Sequence, residues 1–331
     1  MRQDYGPVWV IAEQTDGHLQ PVSLQLIGQA RKLADGIGSP LEVVLLGENI
    51  SAMYTQLISA GADCIFVGDH PAFKIYHPQI FTTTIIEIAQ KQQPEIVLLG
   101  STFTGRELAP LLAAKLGTGL TAHCIDLVLD ENKNLVQKIP AYGGLMSIIC
   151  PKHRPQMATV AQGVFPLPEM NQDRVVEIIK IEPPDRVTPR VETLEIVREE
   201  PKGVNLESAH TVVAGGAGAG DCAGWEQIAE LARVLNAGLG STRPVVDAGW
   251  ADINTMIGQS GKMVKPDLYI GVGLSGEQQH MVGVIDAKVM VAINNDPKSL
   301  VFKRVDLGIV ADCREFIPVF IDKLKKYKRM G

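Results

Sequence analysis

The sequence predicts an α/β protein of two domains, and three observations carry that prediction. The first half alternates apolar or period-2 runs with helical ones, the pattern of βαβ units. Residues 181–208 then carry Pro183, Pro184, Pro189 and Pro201 amid dense charge, which no continuous helix tolerates. Beyond them, short apolar runs end abruptly in small, polar, Gly-rich turns at TVVAGGAGAGDCAG, RPVVDAGW, LYIGVGLSGEQQH, VMVAINNDP and LGIVADC. In a doubly wound parallel sheet the carboxyl ends of the strands line up, so such turns meet in one crevice able to hold a ligand. The expected architecture is an N-terminal Rossmann-like α/β domain with added strands over residues 1–200, followed by a C-terminal doubly wound parallel-sheet domain over 201–331.

Taken in order, VWVIAE, LEVVLLGE, CIFVGD and EIVLLGS read as strands. Between them, VSLQLIGQARKLADGI places Leu26, Ala30 and Leu33 on one helical face, and IFTTTIIEIAQK does the same with Ile85, Ile88 and Ala89. Thr104 is the expected N-cap of GRELAPLLAAKLG, and Gly117 its end. IDLVLD, NLVQKIP, LMSIIC and QMATVAQG read as strands appended to the parallel core. In the second domain a strand at TVVAGG leads to WEQIAELARVLN, whose Ile228, Leu231, Ala232 and Leu235 keep helical spacing. The turn between them holds Gly218, Gly220 and Ala223 as G-x-G-x-x-A, which either lets a phosphate reach helix N–H groups or serves tight turn geometry alone. No acidic residue ends a second strand where a ribose would need one, since Asp247 opens a turn, and this weakens a simple nicotinamide-dinucleotide assignment.

Composition removes several classes. The chain of 331 residues is 46% hydrophobic and 21% charged with net charge -6, so a basic nucleic-acid surface is not expected. The basic cluster KLKKYKRM reads as a solvated helix face. No uncharged apolar run is long enough for an integral membrane segment and MRQDYGPVWV lacks a signal-peptide pattern, which makes the expected location cytoplasmic. The five cysteines lack C-x-x-C spacing and the seven histidines lack ligand spacing, so buried free thiols and no metal are expected. No G-x-S-x-G elbow, H-E-x-x-H helix or Walker loop occurs.

The order of the remaining turns is specific. GSTRPVVDAGW, IGQSGKMVKPDLYIGVGLSGEQQH, INNDP and GIVADC resemble the carboxyl-terminal domain of the electron transfer flavoprotein alpha (large) subunit, and GPVWVIAEQ, GSTFTGRELAPLLAAKLGTGLTAHC and CPKHRPQMATV resemble its first domain. The resemblance implies a heterodimer with an electron transfer flavoprotein beta subunit, FAD held mainly by the second domain, and electron exchange with acyl-CoA dehydrogenase-type partners. It implies that Gly218, Thr242 and Arg243 meet the cofactor, that Ile257, Gly258, Gln259, Ser260 and Gly261 form a loop over the ring and ribityl chain, and that Ser275, Gly276, Glu277, Gln278, Gln279 and His280 approach pyrophosphate and ring. Asn294, Asp312 and Cys313 are implied at the adenosine end. Ala217 stands where many relatives carry arginine, while Thr242 and Ser260 keep a hydroxyl in place of serine and threonine. The GTGLTAHC and CPKHRPQMATV segments are similar to electron-bifurcating members, which hold a second FAD in the beta subunit and split an NADH electron pair.

In these roles each residue has a physical task. Pro244 disfavours helical backbone at Arg243, so an extended Arg243 would aim a fixed positive charge at the ring and favour added negative charge there, unless Asp247 pairs with it. Ser260 would donate a hydrogen bond to the ring, and His280 would donate to its electron-rich pyrimidine edge. Gly271, Gly273 and Gly276 suggest close backbone approach. Two other readings stay open: an NAD-dependent dehydrogenase using the G-x-G-x-x-A turn, and a non-redox nucleotide-binding assembly protein.

Overall fold

A computed structural model describes residues 5–141, 144–184, 187, 191, 193–197, 203–284 and 287–328. The chain divides into two compact units, Met1–Ile196 and Val197–Gly331. Of the connecting prolines, Pro183 and Pro184 lie in irregular chain, while Pro189 and Pro201 fall outside the described residues.

In the first unit β1 (Val8–Ala12) is wholly buried, and a short hairpin, β2 (Gln14–Thr15) and β3 (His18–Leu19), turns at Asp16 and Gly17, both at positive φ. Helix α1 (Pro21–Ile37) buries Leu26, Ala30 and Leu33 and ends at left-handed Gly38. β4 (Leu41–Gly47), α2 (Tyr54–Ala60), β5 (Cys64–Asp69), α3 (Pro78–Gln92) and β6 (Ile96–Gly100) follow in βαβ order. Strands of a parallel sheet are covered on both faces, which is why VWVIA, LEVVLLG and IVLLG are continuous apolar runs.

Helix α4 (Phe103–Leu116) starts earlier than expected. Thr102, on extended backbone, is its N-cap and accepts from the Gly105 N–H, so Thr104 lies inside the first turn; Gly117 closes the helix at φ 66°. β7 (Leu120–Cys124) precedes β8 (Asp126–Leu129), β9 (Leu135–Ala141) and β10 (Gly144–Ile149), an antiparallel three-stranded sheet. β11 (Gln156–Val160) is not appended at the margin. It lies between β6 and β7, with β12 (Glu177–Lys180) at the opposite edge, in the parallel order β12-β5-β4-β1-β6-β11-β7.

The second unit contains β13 (Thr211–Gly215), α5 (Cys222–Leu235), β14 (Gly238–Ser241), α6 (Arg243–Asp247), β15 (Leu268–Val272), α7 (Gln278–Met281), β16 (Val289–Asn294), β17 (Leu307–Val310) and α8 (Cys313–Lys328). Its five strands are parallel in the order β14-β13-β15-β16-β17, so the winding direction reverses between β13 and β15. Val213, Ile270, Val272 and Ile293 pack against α5 and α8, while Val212, Ala214, Tyr269 and Ala292 point to the other face, onto Leu206, Ile257, Val264 and Val301. The basic end of α8 ties it to α5, through Lys325 to Glu230 and Lys328 to the Val234 carbonyl. Arg329 and Met330 of that cluster lie outside the described residues.

RPVVDAGW is not a strand. The second strand is the preceding Gly238–Ser241, and Arg243–Asp247 is a short helix with Pro244 in its first turn, where the missing N–H costs nothing. The extended residue is therefore Thr242, and Arg243 takes helical backbone. Cys64, Cys124 and Cys313 are buried free thiols, whereas Cys150 is half-buried and Cys222 exposed.

Candidate functional site

At the carboxyl end of the second sheet lies a cavity of about 660 Å³. It sits at the β13/β15 reversal, where an open α/β sheet leaves a crevice. The turn after β13 contributes Ala217 and Gly218, and that after β14 contributes Thr242, Arg243 and Pro244. Met256, Ile257, Gly258, Gln259 and Ser260 form one wall, and Gly273 to Glu277 with Gln279 and His280 form another. Asn294, Asn295, Asp296 and Ser299 close the β16 side.

The walls touch through bare backbone. A Cβ on Gly218 would come within 2.7 Å of the Gly273 carbonyl oxygen, and the Gly218 N–H donates to that oxygen at 2.8 Å. Gly258, at φ 141°, lies against the Gln279 carbonyl so closely that any Cβ would collide with it. The neighbouring Gln259 N–H donates to the same carbonyl at 2.7 Å, which fastens the 257–261 loop to α7. Gly276, at φ 80°, is pressed likewise against Val301.

The side chains divide by task. Arg243 is 72% exposed with its Nε 3.5 Å from Asp247, a weak surface pair that leaves the guanidinium at the cavity rim. Gln259 and Ser260 are exposed along the other wall. Asn294 is spent on the scaffold: its amide donates to the Leu274 carbonyl at 2.9 Å and its oxygen accepts from the Asp296 N–H at 2.8 Å. His280 is buried, and both ring nitrogens are occupied, Nδ1 by the Ile257 carbonyl at 3.0 Å and Nε2 by the Tyr269 hydroxyl at 2.6 Å. Burial pushes the imidazole down to about 4, so it is neutral at physiological pH. The expected donation from His280 to a bound ring is thus corrected, because no N–H is left over.

Four expected residues do not line the cavity. Gly261 packs behind its wall against Met256, Gln278 lies on α7, and Asp312 engages Arg314 at the start of α8. Cys313 is buried with its thiol on the Gly218 carbonyl, so it supports the first turn from below. Met256, Leu274, Asn295, Asp296 and Ser299 line the cavity without having been singled out; Asn295 and Asp296 were visible in INNDP, whereas Met256 and Ser299 carry no pattern.

The G-x-G-x-x-A turn does not present helix N–H groups to a phosphate. Asp221 is the N-cap of α5 and accepts from the Gly224 N–H at 2.8 Å, so a carboxylate already occupies the positive helix end. Neither Asp221 nor Ala223 lines the cavity, which removes the geometric basis of the nicotinamide-dinucleotide reading. Among the described residues no group of three or more His, Cys, Asp or Glu is placed for a metal ion, and no helix is long and apolar enough to cross a membrane.

Fold and site define a two-unit α/β protein whose second, doubly wound sheet carries a ligand-sized cavity at its switch point. Residues 8–186 match the electron transfer flavoprotein domain, and residues 205–285 match the electron transfer flavoprotein FAD-binding domain. The chain is 42% identical over 328 residues to the electron transfer flavoprotein subunit alpha of Thermoanaerobacterium thermosaccharolyticum, covering 98% of this chain and 99% of that one. It is 39% identical to Protein FixB of Clostridium saccharobutylicum, covering 98% and 97%, and 37% identical to the lactate dehydrogenase (NAD(+),ferredoxin) subunit LctC of Acetobacterium woodii, covering 97% and 77%. The chain belongs to the electron transfer flavoprotein family, as a subunit of the alpha type.

Proposed function

We propose that this alpha-type subunit holds FAD in the cavity at the carboxyl ends of β13–β17 and works as a heterodimer with a beta subunit, exchanging electrons with acyl-CoA dehydrogenase-type partners. The observation that carries this reading is the convergence of Arg243, the 257–261 loop and the Gly273–His280 turn around one cavity at the sheet's switch point. The residues fit such a cofactor: close glycine backbone admits a flat or phosphorylated ligand, and a rim guanidinium offers a cation to it. When bound, the flavin supplies the redox chemistry. The chain's own part is to orient it through the 257–261 wall, to shield one side with buried Ile257 and Leu274, and to place positive charge at the rim. Gly218, Thr242, Gln259, Ser260, Ser275, Gly276, Glu277 and Gln279 are the remaining contacts proposed, with Asn294 bracing the β16 side of the cavity and Gly261, Gln278, Asp312 and Cys313 lying behind its lining.

Co-purification of the two-chain complex, followed by release and chromatography of its chromophore, tests this directly. One FAD per alpha chain is expected in this domain; a colourless complex, or FMN in place of FAD, would refute it. A bifurcating variant of the function is favoured by the NAD(+) and ferredoxin in the name of the LctC relative. It requires a second flavin in the complex and reduction by NADH.

A further inference from the structure

We propose that Tyr269 is a positioning residue: its buried hydroxyl, together with the Ile257 carbonyl, holds His280 in a single neutral tautomer, and the pair ties the 257–261 loop beside the cavity to the sheet. The inference rests on the flavin-site reading for its purpose, but its geometry stands without a ligand.

Tyr269 is the second residue of β15 and points away from α5 and α8, into the core beneath the cavity, where it is 0% exposed. Its hydroxyl lies 2.6 Å from His280 Nε2. His280 Nδ1 lies 3.0 Å from the Ile257 carbonyl. Only one neutral proton arrangement satisfies all three groups. A carbonyl can only accept, so Nδ1 must carry the hydrogen; Nε2 is then a bare acceptor, and the tyrosine hydroxyl donates to it. The other tautomer would set two lone pairs against each other at Ile257 and strand the tyrosine proton in an apolar core.

The consequence is mechanical. Ile257 begins the wall that carries Gln259 and Ser260, and His280 lies on α7, which carries Gln279. With the Gln259 N–H on the Gln279 carbonyl, the wall has two ties to α7, and Tyr269 anchors the His280 tie to a central strand. The imidazole thus faces the cavity without a free N–H. Tyr269 acts through His280 and Ile257 and lines no part of the cavity itself.

Tyr269→Phe is the decisive variant, since it keeps the ring that fills the core and removes only the oxygen. In the full two-chain protein, nitrogen-15 NMR of labelled histidine, with His280→Asn to assign the signal, is expected to show a protonated Nδ1 and unprotonated Nε2. In Tyr269→Phe the Nδ1 proton is expected to stay hydrogen-bonded to the Ile257 carbonyl while the Nε2 signal shifts on losing its donor, with FAD affinity weakened about tenfold. A wild-type His280 protonated on Nε2, or a Tyr269→Phe signal identical to wild type, would overturn the inference. The NMR is repeated on flavin-stripped protein: a chain that binds no flavin yet keeps the Nδ1–H signature would sink the functional reading while sustaining this one. Circular dichroism and melting of Tyr269→Phe confirm that the comparison is between folded proteins.

Discussion

Arg243→Gln is expected to lower the reduction potential of the bound flavin. The guanidinium stands at the cavity rim on the first turn of α6, 72% exposed and only loosely paired to Asp247. A unit charge about 4 Å from a developing anion is worth about 4 kcal/mol at an effective dielectric of 20 and about 1 kcal/mol in bulk water. At about 59 mV per tenfold change for one electron, those limits correspond to roughly 170 and 40 mV. The exposure of Arg243 places the expected fall nearer the lower limit, at about 40–80 mV. Spectroelectrochemical titration of wild type, Arg243→Gln and Arg243→Lys would measure it, with the lysine variant retaining most of the wild-type potential because it keeps the charge. A change under about 15 mV in Arg243→Gln, or a rise, would refute the argument that this charge faces the ring.

Other perturbations follow from the same structure. Gly258→Ala is expected to destabilise the second unit by about 1–3 kcal/mol and to cost flavin retention, because its φ of 141° and the Gln279 carbonyl leave no room for a methyl group; thermal melting and the flavin-to-protein absorbance ratio report both. Asp221→Ala removes the α5 cap and should cost about 1 kcal/mol while leaving flavin affinity unchanged; tighter nucleotide binding would instead show that the helix end is a phosphate site. Glu13 is a carboxyl whose burial pushes its pKa up to about 7, so its native state holds a proton that the unfolded chain releases. The stability it contributes is present below about pH 4.5 and lost as pH rises towards 7, and Glu13→Gln, which still accepts from Thr102, is expected to melt higher than wild type at pH 8. His280 works in the opposite direction. It is neutral when folded, with a pKa lowered from 6.5 to about 4, so stability falls as pH drops through that window, by about 3 kcal/mol at its lower end. Calorimetry of His280→Asn should show that part of the acid slope removed.

Much of the fold could be read from the chain because it depends on local pattern. The continuous apolar runs of β1, β4, β5 and β6 and the helical faces of α1, α3 and α5 follow from burial on both faces or on one. Short exposed strands such as β12, EIIK, carry no such pattern and are strands because β5 offers an edge. The family resemblance named Gly218, Arg243, the 257–261 loop and the 275–280 turn, and of these Gly218, Arg243, residues 257–260, Ser275, Gly276, Glu277, Gln279 and His280 line the cavity. Local pattern misread RPVVDAGW, because an apolar Pro-Val-Val run satisfies a strand as well as a helix whose first turn accepts proline.

What the amino-acid order determined by itself was the class of fold, the family and the end of the second sheet at which the cavity lies. What only the tertiary structure decided was which polar groups remain free to act there. Asn294 and His280 are each consumed by partners distant in sequence, Asn294 by Leu274 and His280 by Tyr269 and Ile257. The reason is physical: a buried donor or acceptor must be satisfied, and which neighbour satisfies it depends on distances across the fold that no local pattern encodes.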